Sequence, residues 1–328
     1  MVPRAMARQR PWESLRKMAK TKAGTCPQVN VPTVVSHSPH RSEPLPMQPE
    51  PNTFRSLLGR SGLYALELPA LRPVSEPWRR HLFRRPYGAE NDYYGVYPTF
   101  AAARDAANSL STRELPASYD IEAAGRLYRD HMQRIRVSDY PLVFWLGRLI
   151  ADGQRSVFDL GGHIGVSYYG FRKYIDYPPD LSWTIHDLPS VMAAGRRWAQ
   201  GHDAERQLSF IDSVEHADGQ DILLSTGALQ YLDYTLPELL QRLRRKPRHV
   251  LVNLTPMHPD RSFFTLQNLS IAICPYRVMS VPEFTEGMQS LGYRVVDHWQ
   301  SPERHLRVPF EPGCTVDSYH GFHFELAA

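Results

Sequence analysis

A glycine-rich turn at positions 159–165 is the strongest chemical signal in the sequence. It reads DLGGHIG, follows the apolar stretch Ser156–Leu160 and precedes helical apolar spacing over residues 166–176. Glycines let a backbone approach a ligand closely, and a helix that starts directly afterwards offers unpaired N–H groups. The alternative is an ordinary tight turn. The residues expected to bind a nucleotide-like ligand here are Asp159, Gly161, Gly162, His163 and Gly165.

The glycine spacing separates this turn from the dinucleotide fingerprint, which needs glycine at its first, third and sixth positions. Counted from Gly161, those positions hold Gly161, His163 and Val166. The spacing therefore disfavours a nicotinamide cofactor. His163 either lines the ligand pocket or caps the turn.

A second acid, Asp187, stands 28 residues after Asp159 in the run IHDLPSV, at the end of a second apolar stretch. An acid at the end of the second strand of such a sheet can accept hydrogen bonds from both hydroxyls of a ribose. The alternative is that Asp187 caps the following helix. We expect Leu188 beside the same ligand. Asp212, just past a third strand, is either a contact for an adenine amino group or an acid in a surface turn.

The fourth apolar stretch, residues 221–225, leads into STGALQY. In a doubly wound sheet this strand lies beside the first, across the switch point where ligands bind. We therefore expect Ser225 and Thr226 to contact the ligand. Tyr231 would orient or deprotonate a second substrate, or simply pack.

A histidine follows the fifth apolar stretch, residues 249–254, in the run TPMHPD. We expect His258 on the loop after that strand. A neutral imidazole with an ordinary pKa near 6.5 suits proton removal from a hydroxyl at neutral pH. His258 is therefore the candidate general base, although a loop histidine without catalytic function is the alternative.

These residues need a sheet that brings strand ends together. Short apolar stretches alternate with helical spacing from residue 140 onwards, which predicts parallel strands and a doubly wound α/β fold. Near the C-terminus, strands over 293–299 and 319–326 are joined without a helix, which predicts an antiparallel closing pair. The expected fold is a Rossmann-like, seven-stranded, mostly parallel sheet with a C-terminal antiparallel strand. Its strands are expected at 156–160, 183–186, 208–211, 221–225, 249–254, 293–299 and 319–326.

Composition suggests three regions. Residues 1–52 are basic and proline-rich and are expected to be disordered. Residues 1–30 carry a net charge of +6, whereas the whole chain carries +4. Residues 53–139 are expected to form a helical subdomain or cap, with a helix over 121–135, and residues 140–328 the catalytic domain.

The remaining bulk features limit the function classes. Outside its first 30 residues the chain is slightly acidic, so nucleic-acid binding by the core is not indicated. No apolar run is long enough to span a membrane. Three widely spaced cysteines suggest neither a zinc site nor a disulfide framework. We expect a cytoplasmic location, no bound metal and no membrane span. The oligomeric state is left open.

Several runs together resemble a known family. VFDLGGHIGVSYYGFRKY, WTIHDLPSVMAAGRR, DILLSTGALQYLD, HVLVNLTPMH and FFTLQNLSIAICPYRV occur in this order, after YGVYPTF at 94–100. The chain from about residue 90 to 326 is similar to a family of bacterial class I methyltransferases from surface-polysaccharide and related biosynthetic gene clusters. Many class I methyltransferases have a glycine at the position of His163.

The resemblance implies S-adenosylmethionine as the cofactor and methyl transfer to a sugar, a glycan precursor or another small molecule. It places the glycine turn and Asp187 at the cofactor. Three rival functions stay open: an NAD-dependent Rossmann oxidoreductase, a catalytically inactive protein that binds S-adenosylmethionine, and a glycan-binding module without a cofactor, which would leave DLGGHIG and HDLP unexplained. The amides of TLQN either bind a polyhydroxylated acceptor or satisfy backbone groups. The acceptor-side residues implied, besides Tyr231 and His258, are Gln230, Gln267, Asn268 and Tyr276.

Overall fold

Strands and helices alternate along most of the part of the chain that the structure, a computed structural model, describes: residues 67–86, 92–126 and 128–327. The expectation for residues 1–52 lies outside this part. The strands are β1 Asp92–Tyr97, β2 Ser156–Leu160, β3 Ser182–His186, β4 Leu208–Phe210, β5 Ile222–Thr226, β6 His249–His258, β7 Phe263–Asn268, β8 Ile273–Ser280, β9 Tyr293–Ser301, β10 Leu306–Arg307, β11 Thr315–Val316 and β12 Tyr319–Leu326. The α-helices are α1 Arg72–Phe83, α2 Phe100–Leu110, α3 Tyr140–Ala151, α4 Val166–Phe171, α5 Pro189–His202, α6 Leu236–Arg242 and α7 Val281–Ser290.

Seven strands form the predicted sheet in the order β4-β3-β2-β5-β6-β12-β9. The first five are parallel to their neighbours, and β12 is antiparallel to both β6 and β9. The central strands β2 and β5 are buried almost throughout, as continuous apolar strands between two helical layers should be. The α/β, Rossmann-like sheet with its antiparallel strand is therefore confirmed.

Helices cover both faces of this sheet. Leu142 and Leu146 of α3 pack with Tyr168 of α4 and Val191 of α5 in one core cluster. A second cluster joins apolar side chains of α6 and α7, such as Leu240, to the opposite face. This two-layer burial is what fixes the strand ends, and therefore the site residues, at one edge of the sheet.

The sequence did not indicate that the sheet continues beyond β6 through β8, β7 and β1, which we call the extension. The strand β6 runs four residues beyond its expected end, and its last residues, Met257 and His258, pair with β8. Next to β8 lie β7 and then β1, each antiparallel to its neighbour. The expectation that His258 lies on a loop is therefore wrong, because β8 offers β6 a further pairing partner. The TLQN run forms the end of β7.

The described part of the region 53–139 contains a strand, β1, and two helices, α1 and α2, whose positions the sequence did not indicate. The predicted helix over 121–135 is not α-helical: it contains two 3₁₀ turns, Glu122–Arg126 and Arg129–Met132. The backbone carbonyls of Ala124 and Gln133 bond to side chains of the neighbouring elements instead of to a regular helical ladder. The domain boundary at 139 stays a prediction.

Within the described residues, no helix is both long enough and apolar enough to cross a bilayer.

Candidate functional site

Gly161 opens the turn that follows β2. Its φ of 76° is in the left-handed region, and its N–H donates to the His186 carbonyl of β3 at 2.8 Å. A Cβ at this position would collide with the Cβ of Ala228, which follows β5. Only glycine therefore allows the β2 and β5 loops to approach so closely at the switch point.

Asp159, the last residue but one of β2, is completely buried beneath the turn. Its Oδ2 accepts a hydrogen bond from Trp183 Nε1 at 3.1 Å, and its Oδ1 has no partner among the described residues. Burial raises the pKa of this carboxyl to about 7. A Cβ on Gly162 would lie 2.5 Å from the Asp159 Cγ, so Gly162 leaves the room that the carboxyl occupies.

His163 adopts a φ of 57° within the turn, and its ring is buried. Its Nε2 lies 2.9 Å from the Ala124 carbonyl oxygen. A carbonyl only accepts hydrogen bonds, so Nε2 carries the hydrogen. Burial lowers the pKa of the ring. The ring is therefore neutral with a bare Nδ1, and this atom has no partner among the described residues. His163 thus both joins the turn to a neighbouring segment and keeps one acceptor unused.

Asp187 ties the turn to the end of β3. Its Oδ2 accepts from the His163 N–H at 2.8 Å and its Oδ1 from the Leu188 N–H at 2.6 Å. The N-cap of α5 is Leu188, so Asp187 does not cap that helix. Burial raises the pKa of Asp187, while His163 opposes the rise. Each carboxylate oxygen has two lone pairs, so both can still accept from a ligand.

The end of β5 supplies the opposite side of the switch point. Ser225 Oγ donates to the Leu160 carbonyl at 2.9 Å and so joins β5 to β2. Thr226 Oγ1 is buried without a partner among the described residues. The Nε2 of Gln230 donates to Gly227 O at 2.9 Å, whereas its Oε1 is likewise unpartnered.

Four unpartnered polar atoms therefore lie at the carboxyl ends of β2 and β5. We call Asp159, His163, Thr226 and Gln230, together with Asp187, the switch-point site. Buried polar groups in proteins are normally hydrogen-bonded, and an unmet group costs about 1–3 kcal/mol. Three of the four atoms are pure acceptors, so the ligand that fits carries several N–H or O–H donors.

A second cluster joins the end of β5 to the extension. Tyr231 Oη bonds to Gln267 Oε1, and Gln267 Nε2 lies 3.2 Å from Tyr93 Oη. Tyr93 and Tyr276 each lie within 2.9 Å of the Tyr319 hydroxyl. We call these five residues the tyrosine network. Burial raises the pKa of Tyr231 well above its usual value, so at neutral pH its phenol keeps its proton. This favours an orienting role over a basic one.

The structure does not bring His258 and Tyr231 together. His258 Nδ1 accepts from the Asp260 N–H at 3.1 Å, and its ring packs edge-on against Phe263. His258 pairs with Ser280 of β8, four residues from Tyr276, or about 13 Å of strand.

Two further candidate site residues, Asn268 and Asp212, bond to other groups of the protein. Asn268 Nδ2 donates to the carbonyls of Phe83 and Arg85, and its Oδ1 accepts from Ser270. The amide therefore satisfies backbone groups, the alternative left open by the sequence. Asp212 is 82% exposed and paired with Arg196 at 2.9 Å. Its role towards adenine stays a prediction.

Sequence analysis missed Tyr93 and Tyr319. Tyr319 begins the alternating run YHGFHFEL, and Tyr93 belongs to the aromatic run DYYGVY. Neither run carries a signal for a partner more than two hundred residues away.

No protein-family model and no curated protein matches this sequence. Among solved structures, an O-methyltransferase family protein from Burkholderia thailandensis is 17% identical over 62% of this chain, with a TM-score of 0.40. The match spans only 60% of that protein's length. Human N-acetylserotonin methyltransferase in complex with S-adenosylmethionine is 14% identical, covering 64% of this chain and 58% of that one, with a TM-score of 0.40.

Magnesium protoporphyrin IX methyltransferase from Synechocystis, with bound S-adenosylmethionine, is 13% identical over 61% of this chain and 85% of its own, with a TM-score of 0.39. None of these likenesses, all with TM-scores below 0.5, decides what this chain does. The membership of a bacterial family that the motifs suggested stays a prediction.

Proposed function

We propose that this chain is an S-adenosylmethionine-dependent methyltransferase that methylates an oxygen of a small molecule, such as a sugar or glycan precursor. One observation carries the proposal: at the carboxyl ends of β2 and β5 in a parallel sheet, four buried polar atoms have no partner among the described residues. The antiparallel β12 between β6 and β9 supports it, because dehydrogenase-type Rossmann domains usually lack such a strand.

The site residues fit the donor groups of this cofactor. Its ammonium has three N–H donors, which suit the free acceptors Asp159 Oδ1 and His163 Nδ1 beside the glycine turn. Its ribose has two hydroxyls, which suit the lone pairs left on Asp187. Leu188, 38% exposed at the start of α5, is the proposed apolar contact for adenine. Ser225 contributes by holding β5 against β2.

The acceptor site is proposed at the start of the tyrosine network. When bound, the cofactor supplies a methyl group on a sulfonium, so the protein mainly aligns the reactants. Tyr231 keeps a neutral hydroxyl in a fixed place, and Gln230 offers a free carbonyl oxygen beside it. Gln267 accepts a hydrogen bond from the Tyr231 hydroxyl, and the Tyr276 ring packs edge-on against the Tyr231 ring, so both fix the position of Tyr231. His258 stays the proposed general base.

Calorimetric titration with S-adenosylhomocysteine tests the proposal. We expect micromolar binding to the wild type and at least tenfold weaker binding to Asp187→Asn. Asp152→Asn, which changes an exposed carboxylate at the end of α3, should bind like the wild type. Folded protein that does not bind S-adenosylhomocysteine but binds reduced nicotinamide cofactor would favour the oxidoreductase. Binding without transfer of labelled methyl groups to any small-molecule extract would favour the inactive protein.

A further inference from the structure

A segment from outside the predicted catalytic domain lies across the switch-point site. It comprises residues 119–126 and 128–133, and we call it the strap. Asp120 Oδ1 accepts from the Ser190 N–H at the start of α5, at 2.8 Å. Ala124 O accepts from His163 in the glycine turn, and Gln133 O from Lys173 after α4. The strap is thus attached to the three elements that frame the site.

Two tyrosines of the strap face the site. The Tyr128 ring packs edge-on against the His163 ring, with 5.6 Å between centroids. Tyr119 is within electrostatic reach of both Tyr128 and Asp187, which add to the effect of burial in raising its pKa. Tyr128 acts in the same way on Tyr231. The strap therefore packs against the glycine turn at His163, beside the proposed cofactor position.

His163 connects the strap to the ligand through its two ring nitrogens. Nε2 is held by the Ala124 carbonyl, and the bare Nδ1 lacks a donor. Hydrogen bonds at the two nitrogens of one imidazole polarise each other. A donor that bonds to Nδ1 therefore strengthens the bond between Nε2 and the strap.

We infer that the strap is a lid over the cofactor and that His163 is its latch, closed more firmly by the occupant of the site. The inference rests on the proposed function, because the occupant is the proposed cofactor. A ligand donor on Nδ1 holds the strap down, and the strap in turn slows release of the ligand. The latch also gives a reason for a non-glycine residue at φ 57° in the turn, since glycine there would have no ring to reach Ala124.

Two variants loosen the strap by different routes. His163→Gly keeps the left-handed backbone and removes the ring, while Asp120→Ala removes the bond to Ser190 and leaves the glycine turn intact. His216→Ala, an exposed histidine in the 3₁₀ turn Val214–Ala217, is the control. Hydrogen exchange of peptides covering 119–132 reports on the strap, and stopped-flow release of S-adenosylhomocysteine reports on the lid.

We expect exchange of the strap and release of S-adenosylhomocysteine to be roughly fivefold faster in both variants, as for loss of one hydrogen bond. In the wild type, S-adenosylhomocysteine should protect the strap, and His163→Gly should abolish that protection. Strap exchange that is unchanged in both variants overturns the latch, whether or not the ligand binds. Strap exchange that S-adenosylhomocysteine leaves unchanged in a wild type that binds it overturns the coupling.

The proposed function can fail separately. If the wild type does not bind S-adenosylhomocysteine in the calorimeter, the cofactor assignment fails. Faster strap exchange in both ligand-free variants, with His216→Ala unchanged, would then still support the latch.

Discussion

At the switch-point site, four buried polar atoms have no partner among the described residues, whereas in the tyrosine network each phenol is bonded to another member. Both regions are built on the same sheet and lie at its carboxyl edge. A protein that leaves polar atoms unmet loses stability there, and a ligand can restore it. The two regions therefore differ in whether their polar groups are bonded within the protein: the tyrosine network is, and the switch-point site leaves acceptors for a ligand.

The largest expected effect comes from filling the space above Asp159. In Gly162→Ala the new Cβ would lie 2.5 Å from the Asp159 carboxyl, so the turn must shift. We expect affinity for S-adenosylhomocysteine, measured by calorimetry, to fall at least 100-fold. Gly201→Ala is the matched control, because a Cβ there meets no atom within 4 Å. If both variants bound S-adenosylhomocysteine as tightly as the wild type, the glycine turn would not be part of the binding site.

The second prediction concerns the free energy of unfolding that is lost by burying the Asp159 carboxyl, whose Oδ1 has no partner among the described residues. The pKa of Asp159 is raised from 3.8 to about 7 by burial, so ionisation in the folded state is unfavourable. The cost starts above pH 3.8, grows with pH and is complete near pH 7. Asp159→Asn should therefore raise the free energy of unfolding more at pH 8 than at pH 5, by about 3 kcal/mol. Urea titrations at the two pH values measure this, and parallel pH profiles for the two proteins would refute it.

The third prediction asks whether the extension contains a reacting group. If His258 is the base, His258→Ala should keep its affinity for S-adenosylhomocysteine and lose at least 100-fold in turnover, equal to about 2.7 kcal/mol. Steady-state rates with an acceptor found by labelled-methyl screening provide the measurement. Unchanged turnover would remove His258 from the mechanism and make the whole extension a scaffold.

A smaller effect is expected in the tyrosine network. Tyr93→Phe removes a hydroxyl that bonds to both Gln267 and Tyr319. The free energy of unfolding should fall by about 1–2 kcal/mol, with affinity for S-adenosylhomocysteine unchanged. Urea denaturation and calorimetry of the same preparations give both numbers.

Thr226→Val tests the switch-point site, where we expect the opposite result: a change in affinity without a loss of stability. It removes a hydroxyl that has no partner among the described residues, so the free energy of unfolding should be no lower than in the wild type. S-adenosylhomocysteine should bind a few-fold more weakly. If the two variants behaved alike, the contrast between the regions would not hold.

The parallel half of the sheet was predictable because each of its signals is local. The apolar run before Asp159, the glycines after it and Asp187 at the next strand end follow one another within 30 residues, and topology then places them together. The antiparallel β12 was predictable because no helical spacing separates it from the strand expected at 293–299.

The extension was not predictable, because its signals are not local in the sequence. β7 buries Thr265, Gln267 and Asn268, and β8 buries Arg277, so neither strand shows apolar alternation. Their polar groups are met by partners far away in the chain, as in the bond from Asn268 to Phe83. Residue types do not predict which polar atoms of the switch-point site lack a partner. Ser225 and Thr226 are adjacent hydroxyl residues, but Ser225 Oγ bonds to the Leu160 carbonyl and Thr226 Oγ1 has no partner among the described residues.

The position of β12 has a consequence for the order in which this chain can fold. Within the described sheet β9 pairs with β12 alone, and β12 is synthesised after it. The Tyr93–Tyr319 bond likewise joins residues 226 apart. A ribosome-bound chain therefore has an open edge at β6 until residue 319 has emerged, and contacts between such distant residues form slowly. During that interval the strands of the parallel half, all of them already synthesised, can assemble.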